Sequence, residues 1–264
     1  MDEETKAKLA EVARKQVVYR IPGMDAVPVR RDIVYQTTAN GPLLMDVYYP
    51  PGATPETRVP LVVIVLGYPD PESGGRMFGP LTSWARLMAM SGMAAAIYGT
   101  RSPAEDVHVV LGYLRENAAS LGIDRHRLGV YAGSANVPTA LSLLMRDADF
   151  RCAAFVSGFT FDVAGSTIFA EASRQYGFVD ATAGRSIDEL PSDVPLFVLR
   201  AGREHFPGVN AAMDQFAARA LARNLPLTFV NHATGPHAAD MDDDTDTTRR
   251  IIRQVLDFLR LHLV

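Results

Sequence analysis

The chain has 264 residues and a formal net charge of −4, with 48% hydrophobic and 21% charged residues. This balance predicts a packed globule rather than a disordered chain, and the length suits one α/β domain around a single core. Because no excess of basic side chains is available to neutralise a phosphate backbone, we expect no nucleic-acid partner.

Targeting signals are missing from the sequence pattern. The longest apolar run, residues 61–67, is far shorter than the roughly 20 residues that a membrane span requires. The opening MDEETKAKLA is charged rather than signal-like, and the single Cys152 cannot form an internal disulfide. We therefore expect a cytoplasmic protein with no membrane partner.

The first 30 residues form an N-terminal helix and a connection, and residues 31–264 form the main domain. Residues 2–17 are charged and Ala-rich with intermittent apolar positions, which predicts an amphipathic helix packed on the body or on a second subunit. A homodimer is therefore an expectation. Two alternating segments, residues 33–37 and 43–49, flank the turn signal Asn40-Gly41 and predict a hairpin.

From Val59 onward, short apolar runs alternate with helical stretches. The predicted strands are PLVVIVLG, MAAAIYG, RLGVYAG, CAAFVSG, PLFVLRAG and PLTFVNH, and the last helix covers residues 247–261. Continuous apolar runs joined by helices are typical of parallel strands that are buried on both faces. The pattern predicts an α/β fold with a mostly parallel sheet of about eight strands flanked by helices.

Residues 160–194 contain no clear strand and exceed the usual length of a connection. We interpret them as a small helical lid, or excursion, over one end of the sheet. Aromatic residues here and in nearby loops are candidates either for an apolar pocket or for the core: Tyr68, Phe78, Phe159, Phe161, Phe169, Tyr176 and Phe206.

Ser134 is the candidate nucleophile. In RLGVYAGSANVPTAL it lies where an apolar strand ends and an apolar helix begins, a turn that lifts the hydroxyl clear of the sheet. The motif is degenerate, because Ala132 and Asn136 replace the two outer glycines of G-x-S-x-G. The alternative is that Ser134 caps the following helix.

His237 is the candidate general base, since it lies in NHATGPHAAD between the last strand and the terminal helix. His205 and His232 are interpreted as pocket or structural residues. Glu204, the first carboxylate after PLFVLRAG, is the candidate acid, so that the chain order is nucleophile, acid, base. An ion pair of Glu204 with Arg203 is the alternative role.

Two other carboxylates compete for the role of the acid. Asp162 follows the strand CAAFVSG and is the second choice, whereas Asp240 follows His237 too closely. The acidic run Asp240, Asp242, Asp243 and Asp244 is interpreted as a solvated approach to the last helix. No cluster with metal-ligand spacing is present in the sequence, so we expect no metal.

The backbone amides of Ala135 and Tyr68 are the candidate oxyanion donors. The first follows the nucleophile, and the second lies in VLGYPDPESGG after the third strand. Gly67 lets the chain bend there, although the segment also fits a plain linker.

Together, LGYPD, SWARLMAMSG, YAGSANVPTAL, RAGREHFPG and PHAAD resemble the dienelactone-hydrolase-like branch of the α/β-hydrolases, from about Arg31 to the end of the chain. The resemblance implies an ester or lactone hydrolase without a cofactor, with Ser134, Glu204 and His237 as the triad. Two positions depart from the family: its acid is more often aspartate, and dienelactone hydrolases proper use cysteine as nucleophile.

The sequence thus favours a serine hydrolase that cleaves a small carboxylic ester or lactone through an acyl-enzyme intermediate. Two alternatives stay open. An acyltransferase would use the same triad with an alcohol or thiol as acceptor, and a non-catalytic binding protein would use the same fold.

Overall fold

A computed structural model describes residues 10–69, 74–147, 149–163 and 166–264. Its strands are β1 (Val29–Thr38), β2 (Gly41–Tyr48), β3 (Val59–Ile64), β4 (Ala94–Tyr98), β5 (Ile123–Gly133), β6 (Cys152–Val156), β7 (Leu196–Arg203) and β8 (Leu227–Pro236). Its helices are α1 (Gly79–Met90), α2 (Pro103–Glu116), α3 (Val137–Arg146), α4 (Ile168–Tyr176), α5 (Val209–Ala222), α6 (Ala239–Asp242) and α7 (Asp246–Leu263). Short 3-10 turns occur at Met24–Ala26, Pro55–Thr57, Gly74–Met77, Ser134–Asn136 and Ile187–Glu189.

Eight strands of the described chain form one sheet, in the order β1-β2-β4-β3-β5-β6-β7-β8. β1 pairs antiparallel with β2 around the predicted Asn40-Gly41 turn, and β2 pairs antiparallel with β4. All the remaining pairs are parallel. The predicted hairpin and mostly parallel sheet are therefore confirmed. Every residue of β3, β4 and β6 is buried, because helices cover both faces.

The predicted N-terminal helix ends earlier than expected. Residues 2–9 lie outside the described residues, and residues 10–12 are helical, but the helix ends there rather than at Val17. The reason is that the backbone beyond it is used in tertiary contacts. The carbonyl of Ala13 accepts the N–H of Gly79, and the N–H of Val18 donates to the carbonyl of Asp240.

The excursion between β6 and β7 carries α4 and one 3-10 turn, Ile187–Glu189, and its described residues contain no strand, as predicted. It is tied to the body by backbone contacts. The N–H of Val179 donates to the carbonyl of Gly67 at 2.8 Å, and the hydroxyl of Thr182 donates to the carbonyl of Thr160 at 3.0 Å. None of the described helices is long and apolar enough to cross a membrane.

A buried ion cluster anchors the segment that leads into α1. The side chain of Asp46 on β2 is 1% exposed and accepts hydrogen bonds from Arg76 and, at 2.9 Å, from the N–H of Asp32. Arg76 also donates to the Asp32 carboxylate at 3.0 Å. The β1–β2 hairpin therefore holds Arg76, which lies in the loop that follows β3, just before α1.

We expect Asp46→Ala to lower the free energy of unfolding by about 3–5 kcal/mol, because Arg76 loses its buried charge partner and keeps only the exposed carboxylate of Asp32. Urea unfolding followed by circular dichroism measures the change. The matched control is Asp244→Ala, which removes the exposed pair with Arg249 (2.7 Å) and should cost less than about 1 kcal/mol. Equal losses in the two variants would contradict an anchoring role for Asp46.

Candidate active site

Ser134 occupies the turn between β5 and α3, as the sequence predicts. β5 ends at Gly133, and Ser134 begins the 3-10 turn that continues into α3. The φ angle of Ser134 is 55°, in the left-handed region that residues other than glycine seldom adopt. Such a conformation costs on the order of 1–3 kcal/mol, and in exchange it reverses the chain sharply enough to project the hydroxyl from the edge of the sheet.

The turn is packed so closely that its neighbours must be glycines. A Cβ at Gly158 would lie 2.2 Å from Cγ2 of Val137, and a Cβ at Gly67 would lie 2.4 Å from the carbonyl oxygen of Ala135. Within the motif itself, Ala132 is buried in the core at the end of β5. The other departure, Asn136, accepts a hydrogen bond from the N–H of Gly67 at 2.8 Å. The two altered positions thus fit the turn.

The side chains of Ser134, His237 and Glu204 form one hydrogen-bonded chain. Ser134 Oγ lies 2.8 Å from His237 Nε2, and His237 Nδ1 lies 2.6 Å from Glu204 Oε2. When Nδ1 carries the proton and donates it to the carboxylate, Nε2 is free to accept the hydroxyl proton of Ser134. The structure therefore brings together the three residues that the sequence selects, in the geometry of an activated nucleophile.

The Glu204 carboxylate is 2% exposed and accepts a second hydrogen bond, from the N–H of Phe206 at 2.9 Å. Burial opposes its ionisation, but the hydrogen bond from His237, the attraction to that ring and the bond from Phe206 outweigh burial, so the pKa of Glu204 lies below its ordinary value. The group is therefore a carboxylate at neutral pH. Asp162, the second candidate acid, instead accepts the N–H groups of Val163 and Phe169.

His237 follows β8 directly, whereas the sequence places it in a loop after PLTFVNH. β8 continues to Pro236, and the chain then turns at Ala238, whose φ is 56°. The last part of β8 packs on the ring of His232, which is 2% exposed and whose Nε2 lies 2.8 Å from the Thr248 hydroxyl. A Cβ at Gly235 would lie 2.5 Å from the His232 ring, so this glycine lets the strand pass over it. His232 is structural, as interpreted.

The acidic run after His237 is only in part the solvated segment that the sequence suggests, because its first carboxylate is turned inward. Asp240 accepts a hydrogen bond from Trp84 Nε1 at 2.8 Å, and burial raises the pKa of this carboxyl. The other three carboxylates have partners: Asp242 with Lys15, Asp243 with Thr248 and Asp244 with Arg249. Asp242 and Asp244 remain exposed while they make these pairs, whereas Asp240 ties the chain after His237 to Trp84. No group of three or more His, Cys, Asp or Glu side chains in the described residues is placed to hold a metal ion.

The two candidate oxyanion segments lie against each other. Ala135 is the second residue of a 3-10 turn, where an N–H has no partner within the turn. Gly67, which precedes Tyr68, packs directly on Ala135 and Asn136. The amides of Tyr68 and Ala135 are thus carried on touching segments beside Ser134.

Aromatic side chains of the excursion and the loop after β7 cover the site. The ring of Phe206 lies 4.7 Å from the His237 ring, and Phe159 lies 5.0 Å from Phe178. We call this group the aromatic cluster; its members are Tyr68, Phe159, Phe169, Tyr176, Phe178 and Phe206. The ring of His205 lies 4.3 Å from that of Phe206, and its side chain is 67% exposed at the border of the cluster.

The sequence reasoning overlooked Phe178. The signal was Gly177, which ends α4 with a φ of 79° and turns the chain back toward the site. Two other candidates belong elsewhere: Phe161 stacks on Phe216, and Phe78 has no ring contact with the cluster among the described residues.

No protein-family model and no curated protein sequence matches the chain. Solved structures do match. A thermostable esterase from Pseudomonas putida ECU1011 is 14% identical, with a TM-score of 0.74 over 98% of this chain and 90% of that chain. A bacterial heroin esterase is 14% identical, with a TM-score of 0.71 over 99% and 90%. Esterase 2 of Thermogutta terrifontis, phosphoramylated by tabun, is 15% identical, with a TM-score of 0.69 over 90% and 95%.

This chain has the α/β-hydrolase fold. The predicted fold class is confirmed by the order of the eight strands and by these likenesses. In an α/β-hydrolase the turn after the fifth strand presents the nucleophile, and Ser134 occupies that turn here.

Close packing at the turn is testable without a substrate. We expect Gly67→Ala to lower the free energy of unfolding by about 1–3 kcal/mol, because the added Cβ meets backbone atoms that cannot move aside. The matched control is Gly112→Ala in α2, where a Cβ meets nothing within 4 Å and should stabilise the helix by about 0.5–1 kcal/mol. Urea unfolding distinguishes the two, and a neutral Gly67→Ala would show that the turn has room to spare.

Proposed function

We propose that this chain is a serine hydrolase that cleaves a small carboxylic ester or lactone through an acyl-enzyme intermediate. The observation that carries the proposal is the hydrogen-bonded chain from Ser134 Oγ through His237 to Glu204. A serine that only capped a helix would not need a left-handed φ, nor an imidazole at 2.8 Å that is itself held by a buried carboxylate.

The proposed reaction has two halves. As Ser134 Oγ bonds to the carbonyl carbon, His237 Nε2 takes the hydroxyl proton, and the charge of Glu204 stabilises the imidazolium. The C–O bond of the ester then breaks, and the alcohol leaves with the proton from His237. In the second half, water attacks the acyl-enzyme, His237 takes its proton, and the acid leaves as Ser134 regains its hydrogen. The amides of Tyr68 and Ala135 stabilise both oxyanions.

The neighbours of similar fold support this choice of substrate class. The Pseudomonas putida protein and the bacterial heroin esterase are both esterases. The Thermogutta esterase is phosphoramylated by tabun, an organophosphorus compound. The same reactivity toward organophosphorus reagents is expected here if Ser134 is activated. Relation to the dienelactone-hydrolase-like branch, a cytoplasmic location and a homodimer stay predictions.

We expect Ser134→Ala to abolish hydrolysis of p-nitrophenyl acetate and labelling by a fluorophosphonate probe. The loss in kcat should be about 10⁴-fold or more, because the nucleophile is removed. Glu204→Gln should lower kcat about 10³–10⁴-fold, since the amide no longer stabilises the imidazolium or selects the Nδ1–H form. Steady-state kinetics and mass spectrometry of the labelled protein measure both effects.

Ser120→Ala and Glu116→Gln are the controls and should leave kcat within twofold, because Glu116 is the last residue of α2 and Ser120 lies in the turn that follows it. Folded wild-type protein that neither hydrolyses esters nor reacts with the probe would instead favour a non-catalytic binding protein. Transfer of the acetyl group to added alcohols in preference to water would favour an acyltransferase.

The aromatic cluster limits the acyl group. Phe159 follows the site so closely that its N–H donates to the carbonyl of Ser134 at 3.3 Å, and its ring lies 4.8 Å from Phe169. The rings of Phe159, Phe169 and Phe178 are buried against one another, so the wall beside Ser134 is already filled. A short acyl chain fits such a wall better than a long one.

We expect kcat/KM to fall about tenfold or more from p-nitrophenyl acetate or butyrate to octanoate. Phe206→Ala should move the optimum to longer chains, because it removes the ring that lies against His237 and Tyr176 while keeping the backbone N–H that bonds Glu204. The control is Phe161→Ala, which removes an aromatic ring that stacks on Phe216. An unchanged chain-length profile in Phe206→Ala would contradict the assignment of this wall.

A further inference from the structure

Gly67 is held at both of its backbone polar groups, and so at the two peptide groups that flank its Cα. On one side, the N–H of Gly67 donates to Asn136 Oδ1 at 2.8 Å. On the other, the carbonyl of Gly67 accepts the N–H of Val179 at 2.8 Å. The first bond comes from the turn that carries the nucleophile, and the second comes from the excursion over the site.

These two bonds decide which N–H of the loop faces the substrate. The Gly67–Tyr68 peptide is trans, so its C=O and its N–H point in opposite directions. Because Val179 draws the carbonyl of Gly67 toward the excursion, the N–H of Tyr68 is directed away from the excursion. The N–H of Gly67 is already occupied by Asn136, whereas the N–H of Tyr68 has no hydrogen-bond acceptor among the described residues.

We propose that Asn136 is a positioning residue. It fixes the N–H of Gly67 while Val179 fixes the carbonyl, so that the backbone at Gly67 is held on both sides of its Cα and the N–H of Tyr68 serves as the second oxyanion donor. The inference rests on the proposed hydrolase function. Asn136 stands where the usual motif has glycine, and a glycine there offers no side-chain acceptor. Its Oδ1 instead joins the two segments that supply the two oxyanion amides, and a Cβ at Gly67 would lie only 3.0 Å from Asn136 Cα.

Asn136 therefore acts on the transition state rather than on the binding of substrate. Without Oδ1, the N–H of Gly67 has no acceptor in a closely packed place. Because glycine rotates readily about φ and ψ, the backbone at Gly67 is then held only at its carbonyl, and the Gly67–Tyr68 peptide gains freedom to tilt. A rotated peptide aims the Tyr68 N–H away from the oxyanion. Removal of one such donor typically lowers kcat about 10²–10³-fold, so partial misplacement should cost about 10–100-fold.

The experiment compares Asn136→Ala and Asn136→Gly with wild type on p-nitrophenyl acetate. We expect kcat to fall about 10–100-fold while KM changes less than about threefold. Asn136→Gly is informative because it restores the common glycine of the motif, yet it should lose as much as alanine. Asn136→Asp keeps an Oδ acceptor and should recover most of the loss. The matched control is Asn117→Ala at the end of α2, which should leave kcat unchanged.

A second readout reports on the oxyanion itself. Ser134 Oγ bonds to the carbonyl carbon of a small alkyl trifluoromethyl ketone, the serine proton moves to His237, and the carbonyl oxygen becomes a hemiketal oxyanion. A proton from solvent converts this oxyanion to a hydroxyl as the pH is lowered. Titration by ¹⁹F NMR gives the pKa of that hydroxyl. We expect this pKa to rise by about one to two units in Asn136→Ala and Asn136→Gly, since fewer donors stabilise the anion.

The outcomes separate this inference from the proposed function. A wild-type protein without esterase activity or fluorophosphonate labelling would overturn the hydrolase proposal. An active wild type whose Asn136 variants keep kcat and the hemiketal pKa would overturn the positioning role alone. A lower melting temperature with unchanged kcat and hemiketal pKa would likewise assign Asn136 to stability only and overturn the inference.

Discussion

The left-handed backbone of Ser134 is the constraint on which the rest of the site depends. A φ of 55° at the junction of β5 and α3 is unfavourable by itself, so it persists only because the surroundings leave the chain no other path. Those surroundings are the buried strands on both sides and the glycines at positions 67 and 158, whose hydrogens alone fit against the turn. The position of the Ser134 hydroxyl is thus a product of packing in the centre of the sheet.

Much of this arrangement follows from the sequence. Continuous apolar runs separated by amphipathic stretches predict the parallel strands, and the Asn40-Gly41 turn predicts the antiparallel hairpin. The carboxyl ends of neighbouring parallel strands meet at one edge, so polar residues just after β5 and β7 were expected to converge with His237. The structure brings Ser134, Glu204 and His237 together because chain order and strand order agree across β5 to β8.

Contacts between distant segments could not be predicted in the same way. The partner of Asp240 is Trp84 on α1, and nothing in the spacing of an acidic run distinguishes a carboxylate that faces water from one that accepts an indole N–H. The end of the N-terminal helix is similar, because Ala13 and Val18 leave helical structure to bond Gly79 and Asp240. Local propensity gives the elements, whereas tertiary hydrogen bonds decide where some of them stop.

The excursion between β6 and β7 contributes both to the aromatic wall beside the site and to the hold on the backbone of Gly67. Phe178 forms part of the aromatic wall beside the site, and the next residue, Val179, holds the carbonyl of Gly67. A change in the excursion that reshapes the wall therefore also bears on the direction of the Tyr68 amide. Asn136 limits that dependence. It lies in the turn that carries the nucleophile, and its side chain holds the N–H of Gly67. With both bonds in place, the aromatic wall and the proposed oxyanion donors keep one geometry relative to Ser134.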